Sequence, residues 1–288
     1  MTVAHKSTRA PKKAAQRAGG NGQAPDWSHV RGYGWRHQLP DARDKRYAAR
    51  ATAAVPAEYD LRPQMPPVYD QGQLGSCTGN AIAAAMEYER DRQGLSDFVP
   101  SRLFIYYNER ALEGTVSSDS GAVVRDGIKV VNSEGVCPET MWPYDIAMFT
   151  VRPPKRCFVA AVTDRLMQYE AIQTLGDLKD AISSNLAVVF GFTVYESFES
   201  PAVAQTGVMP MPAPGENTVG GHCVAAVGYS DPKSQVIVRN SWGSSWGDKG
   251  YFYMPYQYMT GTTTSSDSSP INGAYLASDF WALELVSS

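Results

Sequence analysis

The chain has 288 residues, 43% of them hydrophobic, enough for a sizeable core and too many for wholesale disorder. A formal net charge of -3 excludes a strongly basic nucleic-acid binder and gives no reason to expect a membrane surface as partner. The average hides an asymmetry, because residues 1–54 carry 11 Lys and Arg against 3 Asp while the remaining 234 carry a net of -11.

Residues 1–25 are rich in Ala, Lys, Arg, Gly and Gln without apolar periodicity and read as a flexible, solvated tail. No stretch has the length of a signal peptide or a membrane span, so a soluble protein is expected, cytoplasmic or exported without a Sec signal. From Arg31 to Tyr47 the aromatics Tyr33, Trp35 and Tyr47 punctuate a charged stretch that can dock on a surface without forming a core. A basic leader on an acidic body can pack by charge attraction.

Helical patterns follow. Cys77–Gln93 is Ala-rich and stops before Gly94, and Ser101–Leu112 is a second helix. Gly121–Val131 sets Val124, Ile128 and Val131 on one stripe with Ser120 as N-cap, and Thr174 with Asp177 forms a capping box for a helix through Ile182. Strand patterns come later, at Ala187–Thr193, Cys223–Tyr229, Gln235–Asn240, Tyr251–Met254 and Phe280–Leu285. Helices early and strands late predict an α+β fold. Ser200–Gly221 and Thr260–Gly273 read as surface loops.

Cys77 follows two small residues at a helix start, where free backbone N–H groups and the helix dipole stabilise a thiolate. A cysteine in an Ala-rich helix is also a common buried small hydrophobe. His222, after the Gly220-Gly221 turn, is placed to pair with a thiolate, and Asn240 to orient its ring, although a lone histidine there is often structural. Cys137, Cys157 and Cys223 show no Cys-x-x-Cys spacing, so they are expected as reduced thiols, with no metal and no cofactor.

Together these residues carry a resemblance. Asn240-Ser241-Trp242-Gly243-Ser244-Ser245-Trp246-Gly247 resembles the asparagine block of the papain and cathepsin family. The run from His222 to Tyr229 resembles its histidine strand, and Gln71 precedes Cys77 at the family's spacing. Asp119-Ser120-Gly121, Glu134–Glu139 and Trp142-Pro143-Tyr144 are similar to its bacterial branch. The resemblance runs from about Pro56 to Leu285. It implies an α+β, papain-like two-lobed fold, with a helical lobe, a β-barrel-like lobe and the active-site cleft between them.

It further implies a cysteine endopeptidase working through a Cys–His ion pair and a thioester acyl-enzyme. In that scheme Cys77 is nucleophile, His222 acid/base, Asn240 orienter and Gln71 an oxyanion donor, a contribution of about 3–4 kcal/mol. Trp242 shields the Asn240–His222 hydrogen bond, and Ser120, Gly121, Gly220 and Gly221 fall at the substrate backbone. The family's disulfide cysteine is replaced by Leu74, the aromatic after the nucleophile by Thr78, and Gly221 stands where Asp or Asn is frequent before the histidine. The same chemistry also serves acyl transfer or deamidation, and an inactive binding homologue keeps only the fold. The division expected is a basic extension at 1–55, acting as an inhibitory segment that blocks the cleft, and a peptidase domain at 56–288. The expected partners are a peptide or protein substrate and the chain's own N-terminal segment, with neither nucleic acid nor membrane, on a monomer.

Overall fold

A computed structural model describes residues 32–50, 54–95, 98–271 and 276–284. The basic tail, including Lys6, Arg9, Lys12, Lys13 and Arg17, lies outside the described residues.

Helix α1 spans Cys77–Arg92, and every residue from Cys77 to Arg90 is buried. Its alanines make it narrow on all sides, so sheet and helices can close on it together. Helix α2 (Arg102–Glu113) is opened by Ser101, whose hydroxyl accepts the Phe104 N–H, and closed by Gly114 at φ 73°. Helix α3 (Val124–Ser133) starts later than the expected Gly121. Ser120 is not its cap: that hydroxyl donates to Thr115 Oγ1 at 2.8 Å, and Gly121 at φ 65° turns the chain before the helix begins. Helix α4 (Lys155–Ala161) had no clear pattern, whereas α5 (Leu175–Ser183) opens with the expected Thr174–Asp177 capping box.

Among the described residues, seven strands form an antiparallel sheet: β1 (Glu58–Asp60), β2 (Gln168–Ala171), β3 (Val188–Tyr195), β4 (Thr218–Ser230), β5 (Gln235–Arg239), β6 (Tyr251–Pro255) and β7 (Ala277–Glu284). Their order is β2-β7-β3-β4-β5-β6, with β1 on β4, so the barrel-like lobe is an open path of strands. The sequence pattern missed β1 and β2, which are too short to show a period.

Two expected loops are only partly loops. Ser200–Gly221 contains helix α6 (Pro201–Thr206), capped by Ser200. Pro201 occupies its first turn, where a missing N–H does no harm, so the proline was no sign of a loop. The same stretch contributes the first residues of β4, and His222 therefore lies inside a strand. Helix α7 (Tyr256–Thr260) precedes the Thr/Ser-rich loop. Lys179 on α5 reaches both Asp231 and Asp267 at 2.8 Å and so pins that loop.

Helices α1–α4 lie on one side of the seam and the sheet on the other, with α1 against β4 between them. Residues 32–50 cross this seam, with parallel bridges from Trp35 to Ala122 and from Arg46 to Ala171. The charge asymmetry reappears as contacts: Arg36 pairs with Glu113, Lys45 and Arg50 with Glu170, and Arg50 with Glu284. The reverse pairing is Asp44 with Arg125, and Tyr47 donates to Asp180 at 2.6 Å.

Candidate active site

Cys77 is the first residue of α1 and is fully buried. The loop before it folds tightly, with Ser76 N–H donating to Leu74 O at 2.8 Å. Gln71 ties that loop to the opposite lobe, because its N–H donates to Ser241 O at 2.9 Å and its Oε1 accepts from Ser241 Oγ at 2.6 Å. With the carbonyl end occupied, the amide Nε2 has a fixed direction. It donates to Leu74 O at 2.9 Å and to Gly32 O at 2.8 Å. The second acceptor is a peptide carbonyl of the chain's own leader.

His222 on β4 and Asn240, just beyond β5, are adjacent because those strands pair antiparallel. The imidazole Nε2 lies 2.8 Å from Asn240 Oδ1. Ser241 N–H donates to the same oxygen at 2.8 Å, which fixes it as the acceptor. Nε2 therefore carries the hydrogen, and Nδ1, which has no hydrogen-bond partner among the described residues, keeps its lone pair. Trp242 stacks on the imidazole with ring centroids 4.9 Å apart at 28°.

Burial decides the charge state. It pushes the Cys77 thiol up to about 12, partly offset by N–H donation to the sulfur from Cys223 and from Gly34 of the leader. It pushes His222 down to about 4 against the raising effect of the Asn240 hydrogen bond. In this covered arrangement both groups are neutral at pH 7.

The cover is fitted. Tyr33 meets His222 and Trp242 edge-on at 5.9 and 6.0 Å, and its hydroxyl donates to Glu199 at 2.8 Å. Ala122 N–H donates to Gly34 O at 2.7 Å, Trp35 N–H to Gly221 O at 3.0 Å, and Arg36 N–H to Ala122 O at 3.0 Å. A Cβ on Gly220 would stand 2.7 Å from Tyr33 Cβ, and one on Gly121 1.9 Å from Gly34 O.

Gln71, Cys77, His222, Asn240, Trp242, Gly121, Gly220 and Gly221 are thus brought together, and Ser120 is not. Beside Ser120-Gly121, Ala122 makes the backbone bonds to Gly34 and Arg36, and sequence reasoning missed it. Also missed were Gly191 and Asp279, which hold the Trp35 ring. Gly191 carried a signal, since an isolated glycine between Phe190 and Phe192 in a strand marks a close approach. Thr78 does not line the cleft: it is buried and donates to Glu109, whose carboxyl burial pushes up to about 8. Cys137, Cys157 and Cys223 are buried free thiols. No helix among the described residues is long and apolar enough to cross a membrane.

The family model for "Papain family cysteine protease" matches residues 55–270. An uncharacterized peptidase C1-like protein of Acanthamoeba polyphaga mimivirus is 40% identical over 284 residues, covering 89% of this chain and 88% of its own. Cysteine proteinase 3 of Entamoeba histolytica is 29% identical, covering 77% and 69%. Among solved structures, xylellain, a cysteine protease from Xylella fastidiosa, superposes with a TM-score of 0.78 at 40% identity, over 88% of this chain and 96% of that one. A procathepsin B from Trypanosoma congolense has a TM-score of 0.68 at 15% identity, over 91% and 89%, a likeness of fold alone. With the fold, the paired histidine and asparagine and the matched length in agreement, the chain belongs to the papain family of cysteine proteases and is a papain-like cysteine peptidase, a hydrolase of peptides.

Proposed function

We propose that this chain is an endopeptidase made in a self-covered form, with residues 1–55 as the covering segment and 56–288 as the peptidase domain. The observation that carries this reading is the seating of leader residues on the catalytic side chains, with Gly32 O on the Gln71 amide and Tyr33 against His222. In the uncovered enzyme, His222 Nδ1 holds the Cys77 proton as one half of a thiolate–imidazolium pair; the thiolate attacks a peptide carbonyl, and the imidazolium gives that proton to the departing amine as the C–N bond breaks. Water then cleaves the thioester, returning the proton to sulfur through the same nitrogen. Asn240 holds the tautomer, Trp242 covers the Nε2–Oδ1 bond, and the Gln71 amide with the Cys77 N–H receives the oxyanion. Ala122 and Gly221 offer their backbone groups to an extended substrate, in place of the Ser120-Gly121 pair expected at first.

Uncovering converts a neutral thiol and imidazole into an ion pair with the same number of protons, so this pair gives the cover no dependence on moderate acid. The leader's carboxylate contacts do. Burial alone would raise Glu170, but hydrogen bonds from Lys45 and Arg50 outweigh it and lower its pKa. A lowered carboxyl stabilises the covered form above its ordinary pKa of 4.5, and that contribution is lost as pH falls through the lowered value. Hydrolysis of fluorogenic peptides by the reduced full-length protein is therefore expected to be weak and flat from pH 5 to 8 and to rise on passing below about 4.5. Glu170→Gln should raise the neutral-pH rate and flatten the step. Equal rates across the range in both proteins would remove the cover from the account, and transfer to added amines outrunning hydrolysis would make the enzyme an acyl transferase.

The oxyanion role has its own test. Gln71→Ala is expected to lower kcat by about 10²–10³-fold with little change in KM, since the amide acts on charge that develops in the transition state. A rise in KM alone would reduce Gln71 to a fastener between the two lobes.

A further inference from the structure

Glu109 on α2 is fully buried, and the reaction described above makes no use of it. Its Oε1 accepts the hydroxyl of Thr78, the residue after Cys77, at 2.5 Å. Its Oε2 is buried without a hydrogen-bond partner among the described residues. Gly127 inside α3 makes room for that oxygen, since a Cβ there would stand 2.5 Å from it. Glycine in a helix interior is destabilising relative to alanine, so the room is kept against the preference of the helix.

No ion pair reaches this carboxyl among the described residues, because the arginines around it are engaged elsewhere. Arg110 on α2 donates to the carbonyls of Tyr106, Val116, Ser118 and Phe149. Arg36 of the leader pairs with Glu113, and Arg125 of α3 with Asp44. The other titratable groups that act on it or feel its charge are Tyr106 on α2, Asp126 on α3, Cys77 on α1 and Cys223 on β4. A buried carboxyl with one donor and no paired cation keeps its proton near neutral pH, and burial holds this one up at about 8.

The position of that charge matters to the sulfur. Negative charge on Glu109 pushes the Cys77 thiol further up. While Glu109 keeps its proton, the thiolate has no second anion behind it. Once Glu109 ionises, two like charges share the base of α1, and the proton held by the imidazole returns to sulfur. We propose that Glu109 is a positioning residue for the nucleophile: uncharged, it anchors the first turn of α1 through Thr78 and lets Cys77 carry the negative charge, and its ionisation closes the alkaline side of the activity. This rests on the ion-pair reading of the uncovered enzyme. Departure of the leader supports the arrangement, since Arg36 lowers the carboxyl and its removal lets Glu109 hold its proton to higher pH.

The test follows two rates from pH 6 to 10 in full-length protein carrying Trp35→Ala: kcat/KM on a fluorogenic peptide, and alkylation of Cys77 by iodoacetamide, which reports the thiolate. Both are expected to be level near neutrality and to fall together by about tenfold around a midpoint near 8, the effect of one nearby like charge. In Glu109→Gln the fall in alkylation should disappear and the fall in turnover move to higher pH. Thr78→Val removes a hydrogen bond that lowers the carboxyl, so it should move both midpoints up. Turnover that falls while alkylation holds would place the alkaline limb on the imidazolium and overturn the proposal. So would a midpoint unmoved in Glu109→Gln or, should that variant not fold, in Thr78→Val. Alkylation that only rises with pH, without a level stretch near neutrality, would show no ion pair and overturn the underlying mechanism as well.

Discussion

Trp35→Ala in the full-length protein is expected to raise the neutral-pH rate of peptide hydrolysis by about 10²-fold. Truncating a fully buried tryptophan typically removes about 3–5 kcal/mol, and each 1.4 kcal/mol shifts an equilibrium about tenfold; Trp35 is half-buried, so the effect belongs at the low end. The indole is one of the leader's large rings, with Tyr33 and Tyr47, and its N–H is bonded to a buried carboxylate. The leader's ion pairs are weaker holds. Lys45 and Arg50 are partly exposed, and pairs of that kind contribute about 0–1 kcal/mol each. Gly191→Val should act in the same direction, because a side chain there would overlap the indole. Arg43, whose ion pair among the described residues is with Asp41 two positions away, supplies the control: Arg43→Ala should leave the rate near its starting value. Fluorogenic peptide turnover checks all three, and an unchanged rate for Trp35→Ala would mean that the leader leaves the cleft without help.

The chemistry was easier to read in the sequence than the surface it acts on. Cys77, His222 and Asn240 each sit in a run whose residue types are dictated locally: small residues before a helix start, then two strands joined by a turn. Antiparallel pairing of β4 and β5 does the rest, bringing together side chains 18 positions apart. Trp35 and Tyr33 were visible as anchors because large aromatics in a charged stretch need somewhere to go, and the charge imbalance indicated an acidic surface. Asp279, Ala122 and the Arg125–Asp44 pairing were not legible, since they arise where segments far apart in sequence meet. The failure at Ser120 has a local cause. A serine before a helical stripe signals an N-cap only if the helix starts there, and Gly121 at φ 65° delays it. The reading of Ser200–Gly221 as a loop failed because its prolines and glycines serve helix α6 and the close approach of Tyr33 and Trp35, not only turns.

Cys77→Ala and His222→Ala are each expected to lower kcat by about 10⁴-fold or more, and the double variant to be no slower than the worse of the two. The expectation follows from the proton path. The thiol is buried and pushed up to about 12 in the covered form, so it gains nucleophilicity only by giving its proton to Nδ1. Nδ1 in turn has no role in the reaction without a sulfur to deprotonate. Groups that act as one unit lose the whole effect with the first deletion. Asn240→Ala should cost less, because it leaves both the sulfur and the imidazole in place and removes only what fixes the ring and tautomer. Trp35→Ala is the right background for the measurement, since a covered enzyme would hide losses below its own low rate. Losses that multiply in the double variant would show Cys77 and His222 working independently, and the ion-pair mechanism would have to be given up.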